Sequence, residues 1–121
     1  MGIFGSAATG SVGLLHVYIL VLEMFLWTGP RGRKAFRLSA DFAEKTKALA
    51  ANQGLYNGFL AAGLFWGLAH PNPEFGTQLQ LFNLGCVAVA GVYGSLTANS
   101  RILFIQSVPA AVSIGLVLLD L

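Results

Sequence analysis

Two ionisable side chains, His16 and Glu23, stand within an apolar run near the start of the chain. They are seven residues apart, and at about 100° per residue they return to within roughly 20° of the same direction on a helix. Both therefore project from one face. A carboxylate near the centre of a membrane costs at least about 2.5 kcal/mol on insertion scales, so an acid retained there calls for a physical account. The chemistry on offer is proton exchange. Glu23 could trade a proton for a cationic substrate, or serve as general acid or base on a lipid-like one, with His16 as relay or hydrogen-bond donor.

Polar partners occur at similar depth elsewhere. With Trp27 taken as the inner boundary, Glu23 lies roughly 6 Å and His16 roughly 16 Å inside at 1.5 Å per residue. Asn52, Gln53, Tyr56 and Asn57 occupy the first inner turns of a second apolar segment, and Tyr93 and Gln106 lie about one turn inside the ends of a third and fourth. Gln53 and Asn57 share one helical stripe. Two readings remain open. The cluster lines a pocket around Glu23, or its members satisfy one another through interhelical hydrogen bonds averaging about 0.6 kcal/mol each. Glu23 could also pair with Arg101 or Lys47 reaching inward. His16, Glu23, His70 and Cys86 lack close ligand spacing, so no metal is expected. No phosphate loop, nucleophile elbow or His-Glu-x-x-His string is present, and no cofactor is expected.

The elements that must position these groups follow from composition. Of 121 residues, 55% are hydrophobic and 10% charged, with a net charge of +2. Soluble domains average about 25% charged residues. Together with a mean hydropathy of +0.70, this argues against a disordered tail, a nucleic-acid binder or an ordinary cytosolic enzyme. Four segments reach the length of about 20 residues needed to cross a bilayer: Ile3 to Trp27, Ala48 to Ala69, Gln78 to Thr97 and Ile102 to Leu119. Thr28-Gly29-Pro30, His70-Pro71-Asn72-Pro73 and Ala98-Asn99-Ser100-Arg101 separate them. The expected fold is all-α, a single four-span transmembrane domain over 1–121 built as a four-helix bundle.

Of the seven Lys and Arg, Arg31, Arg33, Lys34, Arg37, Lys45 and Lys47 lie in the first loop and Arg101 in the third, with none in the second. By the positive-inside rule the first and third loops face the cytoplasm and both termini face outward, in the cytoplasmic (inner) membrane. The long basic loop between the first two spans carries Asp41-Phe42-Ala43-Glu44, which fits a capping box with Asp41 as N-cap. One helix from Asp41 to Ala69 is expected. Arg31, Arg33, Lys34 and Arg37 could bind anionic headgroups or a phosphorylated substrate, or serve only to fix topology.

Helices in lipid associate through small residues and buried polar contacts. Gly54-x-x-x-Gly58, Gly63-x-x-x-Gly67, Gly91-x-x-x-Ser95 and the series Ser107, Ala111, Gly115 fit either bundle contacts or a homo-oligomer interface. Cys86 reads as a small apolar packer.

The run His16-Val17-Tyr18-Ile19-Leu20-Val21-Leu22-Glu23-Met24-Phe25, then Pro30-Arg31-Gly32-Arg33-Lys34 and Ala51-Asn52-Gln53-Gly54-Leu55-Tyr56-Asn57-Gly58, resembles the domain-of-unknown-function family 1304 over essentially the whole chain. The resemblance implies a small bacterial multi-pass membrane protein and supplies no reaction. It also implies that His16, Glu23, Asn52, Gln53, Tyr56 and Asn57 coincide with a family signature. Three functions are carried forward: a binding or transport protein for a small amphipathic or cationic molecule, an intramembrane enzyme using Glu23 and His16 as acid and base, and a structural or accessory subunit.

Overall fold

The computed structural model describes residues 2–121. It is all-α, with five helices among the described residues: α1 (Ile3–Met24), α2 (Pro30–Phe36), α3 (Ala40–Ala69), α4 (Pro73–Thr97) and α5 (Val108–Leu118), the last preceded by a π-helical turn (Leu103–Ser107). Two of them, α1 and α4, are long and apolar enough to cross a membrane, and the stretch Leu103–Leu118 is apolar but shorter.

The boundaries follow from local chemistry. α1 stops at Met24 rather than Trp27, where the Phe25 and Leu26 amides both turn back to the Val21 carbonyl. Pro30 then occupies the first turn of α2, where its missing N–H costs nothing. α3 does run unbroken to Ala69, but its cap is Ser39 and not Asp41: Ser39 Oγ accepts from the Phe42 amide at 3.1 Å. Asp41 and Glu44 instead reach forward to Lys45 (3.1 Å) and Lys47 (2.6 Å). Asn72 caps α4 by accepting from the Glu74 and Phe75 amides at 3.0 and 3.3 Å. Ahead of α5, Val108, the residue before Pro109, donates its amide to the Leu103 carbonyl and closes a wide turn. Proline has no amide to give and crowds the carbonyl four residues back, so a wider turn is the natural relief.

The chain forms two compact units, Met1–Leu14 with Leu60–Leu121, and Leu15–Phe59. In the first, Val12, Leu64, Leu84, Val87, Ala110 and Val117 make the apolar core, with Leu60, Leu81, Ala88 and Ile114 packed against it. Close approaches rest on glycine. A Cβ on Gly67 would lie 2.9 Å from the Gly76 carbonyl oxygen and 2.8 Å from Gln80 Cγ, and one on Gly91 would lie 2.8 Å from the Ser107 amide nitrogen. Ser107 Oγ completes that contact by donating to the Ala88 carbonyl at 2.8 Å. The buried stripe beyond it is Ser107, Ala110, Ser113 and Val117. The expected series of Ser107, Ala111 and Gly115 is not the one used, since Ala111 is exposed and a Cβ on Gly115 would meet nothing within 4 Å. Phe4 donates its amide to the Leu121 carbonyl at 3.0 Å, so the beginning of α1 meets the chain three residues past α5.

In the second unit Leu22, Ala43 and Ala50 are buried together with His16, Glu23 and Asn57. Here α1 and α3 pack on the first glycine pair, and α2 is held by its Gly32 face against the Leu26–Trp27 turn.

The interior is mixed and part of the exterior apolar. Thr9, His16, Glu23, Asn57, Gln80, Ser107 and Ser113 are buried alongside the apolar cores, whereas Ile3, Phe4, Leu14, Phe82, Leu96 and Phe104 are each more than 60% exposed.

Candidate functional site

The site is built on α1 and α3 within the second unit. Gly54 and Gly58 let the two helices meet at close range: a Cβ on Gly54 would lie 2.7 Å from Met24 Cγ and 3.0 Å from Glu23 Cβ, and one on Gly58 2.5 Å from Leu20 Cδ1. The approach delivers Asn57, which precedes Gly58, onto the acid. Asn57 Nδ2 donates to Glu23 Oε1 at 2.7 Å and also to the Gln53 carbonyl of its own helix at 3.2 Å. Glu23 is 7% exposed and Asn57 9%. A buried acid left without a partner would be costly in either protonation state.

No cation pairs with Glu23 among the described residues. The ion pairs there are Lys45 with Asp41 and Lys47 with Glu44, both at the exposed foot of α3. The expectation of a structural pair from Lys47 to Glu23 is therefore not met, because Lys47 is bound to Glu44.

His16 is fully buried on α1. Seven residues separate it from Glu23, about 10 Å along a helix axis.

The remaining candidates fall in different places. Asn52, Gln53 and Tyr56 are exposed. Asn52 Nδ2 turns back to the Ala48 carbonyl at 3.0 Å, and Tyr56 lies against Phe59 with ring centroids 6.1 Å apart. They stand on the same helix as Asn57, but of these residues only Asn57 bonds the acid. Tyr93 and Gln106 belong to the other unit, where Tyr93 is exposed and Gln106 half-buried beside Gly91. Arg31, Lys34 and Arg37 are exposed on or just after α2, and Arg33 is half-buried. Among the described residues no group of three or more His, Cys, Asp or Glu is placed to hold a metal ion. Cys86 is a half-buried free thiol on α4.

Two amides on α4 were not singled out from sequence. Gln80 is fully buried and donates to the Gly67 carbonyl at 3.4 Å. The Asn83 side chain, tied to the Leu79 carbonyl at 2.8 Å, fills the space where a Gly63 Cβ would stand. The signal that marked Glu23, a polar group inside an apolar span, was present for both.

Comparison with known proteins agrees on kinship and stops short of chemistry. The family model for "Protein of unknown function (DUF1304)" matches residues 10–118. The chain belongs to that family. It is similar to the "Uncharacterized protein YpaA" of Lactococcus lactis subsp. lactis (strain IL1403), with 29% identity over 99 residues, covering 78% of this chain and 80% of that protein. No solved structure matches the chain.

Proposed function

We propose that this chain is a multi-pass protein of the cytoplasmic membrane that binds or transports a small amphipathic or cationic molecule at Glu23. The observation that carries this reading is the buried carboxylate whose partner is a neutral amide, not a cation. The acid accepts from one neutral donor at 2.7 Å, so its charge when ionised is not balanced by that partner. Asn57 orients the carboxylate, and His16 would meet the far end of an elongated ligand.

The topology proposed is four spans with the basic loop in the cytoplasm and both ends outside. The hydrogen bond between Phe4 and Leu121 supports an even number of crossings between those residues, and the distribution of Lys and Arg supports the orientation. The large exposed apolar side chains on α1 and α4 support lipid as the surrounding solvent.

The test is equilibrium binding of a lipophilic cation, tetraphenylphosphonium, to the full chain in zwitterionic nanodiscs. Glu23→Gln keeps the size and the hydrogen bond to Asn57 while removing the charge, and should weaken binding about tenfold or more, as expected for loss of a desolvated charge pair. Equal affinity of the two proteins would overturn the reading in favour of a structural subunit. Native mass spectrometry of the gently extracted protein gives an independent readout through any retained small molecule.

A further inference from the structure

The basic residues of the loop between α1 and α3 divide into two sets. Lys45 and Lys47 are neutralised by Asp41 and Glu44 on the same helix. Arg31, Arg33, Lys34 and Arg37 lie in a stretch with no acidic residue, Glu23 and Asp41 being the nearest on either side, and Asp41 is paired with Lys45. These four cations are displayed on a fixed support. Gly32 is buried against the Leu26–Trp27 turn, Phe36 stacks on Trp27 with ring centroids 4.9 Å apart, and Trp27 Nε1 donates to Thr46 Oγ1 at 3.0 Å. Pinning one side of α2 leaves Arg31, Lys34 and Arg37 exposed.

Two further details point to an anionic occupant. Arg33 is half-buried, and its Nε is enclosed without a hydrogen-bond partner among the described residues. Arg37 ends α2 in the left-handed conformation (φ 56°), the position where glycine is the usual residue. A bulky cation stands where backbone geometry alone would favour no side chain. Phe25, Phe36 and Phe42 are exposed in the same unit, and aromatic rings beside cations are the composition of a headgroup-level surface.

We infer that α2 and its flanking residues form a docking surface for the anionic headgroups of the cytoplasmic leaflet, with Arg31, Arg33, Lys34 and Arg37 holding phosphate oxygens and Trp27 and Phe36 seated at headgroup depth. Arginine suits this role because its planar fork can hold a phosphate through two parallel hydrogen bonds. The inference is separate from ligand binding at Glu23 and rests on α1 as a membrane span.

Trp27 supplies the reporter. A Trp66→Phe chain, in which Trp27 is the remaining tryptophan, is reconstituted in mixed phosphatidylglycerol and phosphatidylcholine nanodiscs carrying bromine on one lipid or the other at equal content. Brominated phosphatidylglycerol should quench Trp27 about twofold more than brominated phosphatidylcholine, reflecting enrichment of anionic lipid at the cations. The preference should disappear in about 1 M salt, where the Debye length falls to about 3 Å, and in the chain carrying Arg31→Gln, Lys34→Gln and Arg37→Gln. Equal quenching by the two lipids, or a preference that survives the triple substitution, would overturn the inference. Absence of quenching by either would overturn it together with the placement of α1 in the membrane. Native mass spectrometry of the unsubstituted chain from the same lipid mixture should retain phosphatidylglycerol in excess of phosphatidylcholine, and equal retention counts against the inference without depending on any variant.

Discussion

Asn57 holds Glu23 at 2.7 Å from a helix that reaches α1 on two glycines, so the amide and the acid are presented to each other by backbone proximity and not by long flexible side chains. Removing the donor should strand the acid. Asn57→Leu is expected to destabilise the protein by about 2 kcal/mol, in the range for a buried charged group that loses its partner. Glu23→Gln should cost less, because amide and amide can still bond, and Glu23→Leu combined with Asn57→Leu should recover much of the loss. Denaturant unfolding in mixed micelles of the unsubstituted chain, Asn57→Leu, Glu23→Leu and the double variant gives the coupling; a sum of independent effects would show that the bond contributes nothing.

Glycine substitutions should separate by location. Gly54→Leu must displace Met24 and the Glu23 Cβ, for a cost of about 1–3 kcal/mol as in other overpacked sites. Gly85→Ala meets nothing within 4 Å and removes a glycine from the middle of α4, which should stabilise by about 0.5–1 kcal/mol if helix propensity is felt. Thermal denaturation of the two variants checks the order, and a loss at position 85 would mean that this face is covered by something.

Cation binding at Glu23 should depend on pH with a defined sign. Only the ionised carboxylate pairs with a cation, so binding releases a proton and weakens as pH falls through the titration of the site. Tetraphenylphosphonium affinity measured from about pH 9 down to about pH 5 should decline, with Glu23→Gln flat over the same interval. A flat profile for the unsubstituted chain counts against the mechanism.

Membrane sidedness can be read with a membrane-impermeant maleimide in a Cys86→Ser background. Cysteine introduced by Ala35→Cys or Asn99→Cys should label only from the cytoplasmic side, and by Pro71→Cys only from the other. Labelling of all three from one side would remove the four-span arrangement.

Much of the helical punctuation was legible because proline and glycine act locally. Pro30 and Pro73 each sit in the first turn of a helix, and the run from Ala40 to Ala69 is uninterrupted. The cap of α3 was misassigned because Ser39 and Asp41 are both good N-cap residues two positions apart, and the choice depends on where the preceding turn at Arg37 leaves the backbone. Depth along a helix is arithmetic, so the level shared by Glu23, Asn52, Gln53, Tyr56 and Asn57 could be derived. Facing is not: only the close approach at Gly54 and Gly58 decides that Asn57 turns inward and Tyr56 outward. On α5 the series of Ser107, Ala111 and Gly115 assumed a regular helix, and the wide turn ahead of Pro109 changes which side chains follow Ser107 into the interior.

The exposed apolar side chains have a practical corollary. The buried ties, Asn57 to Glu23 and Gln80 to the Gly67 carbonyl, lie beneath exposed leucine, phenylalanine and valine side chains. Replacing those side chains with glutamine, threonine and tyrosine, while leaving the inward residues untouched, should yield a detergent-free analogue that retains the same helix pairing and opens the Glu23 site to study in plain buffer.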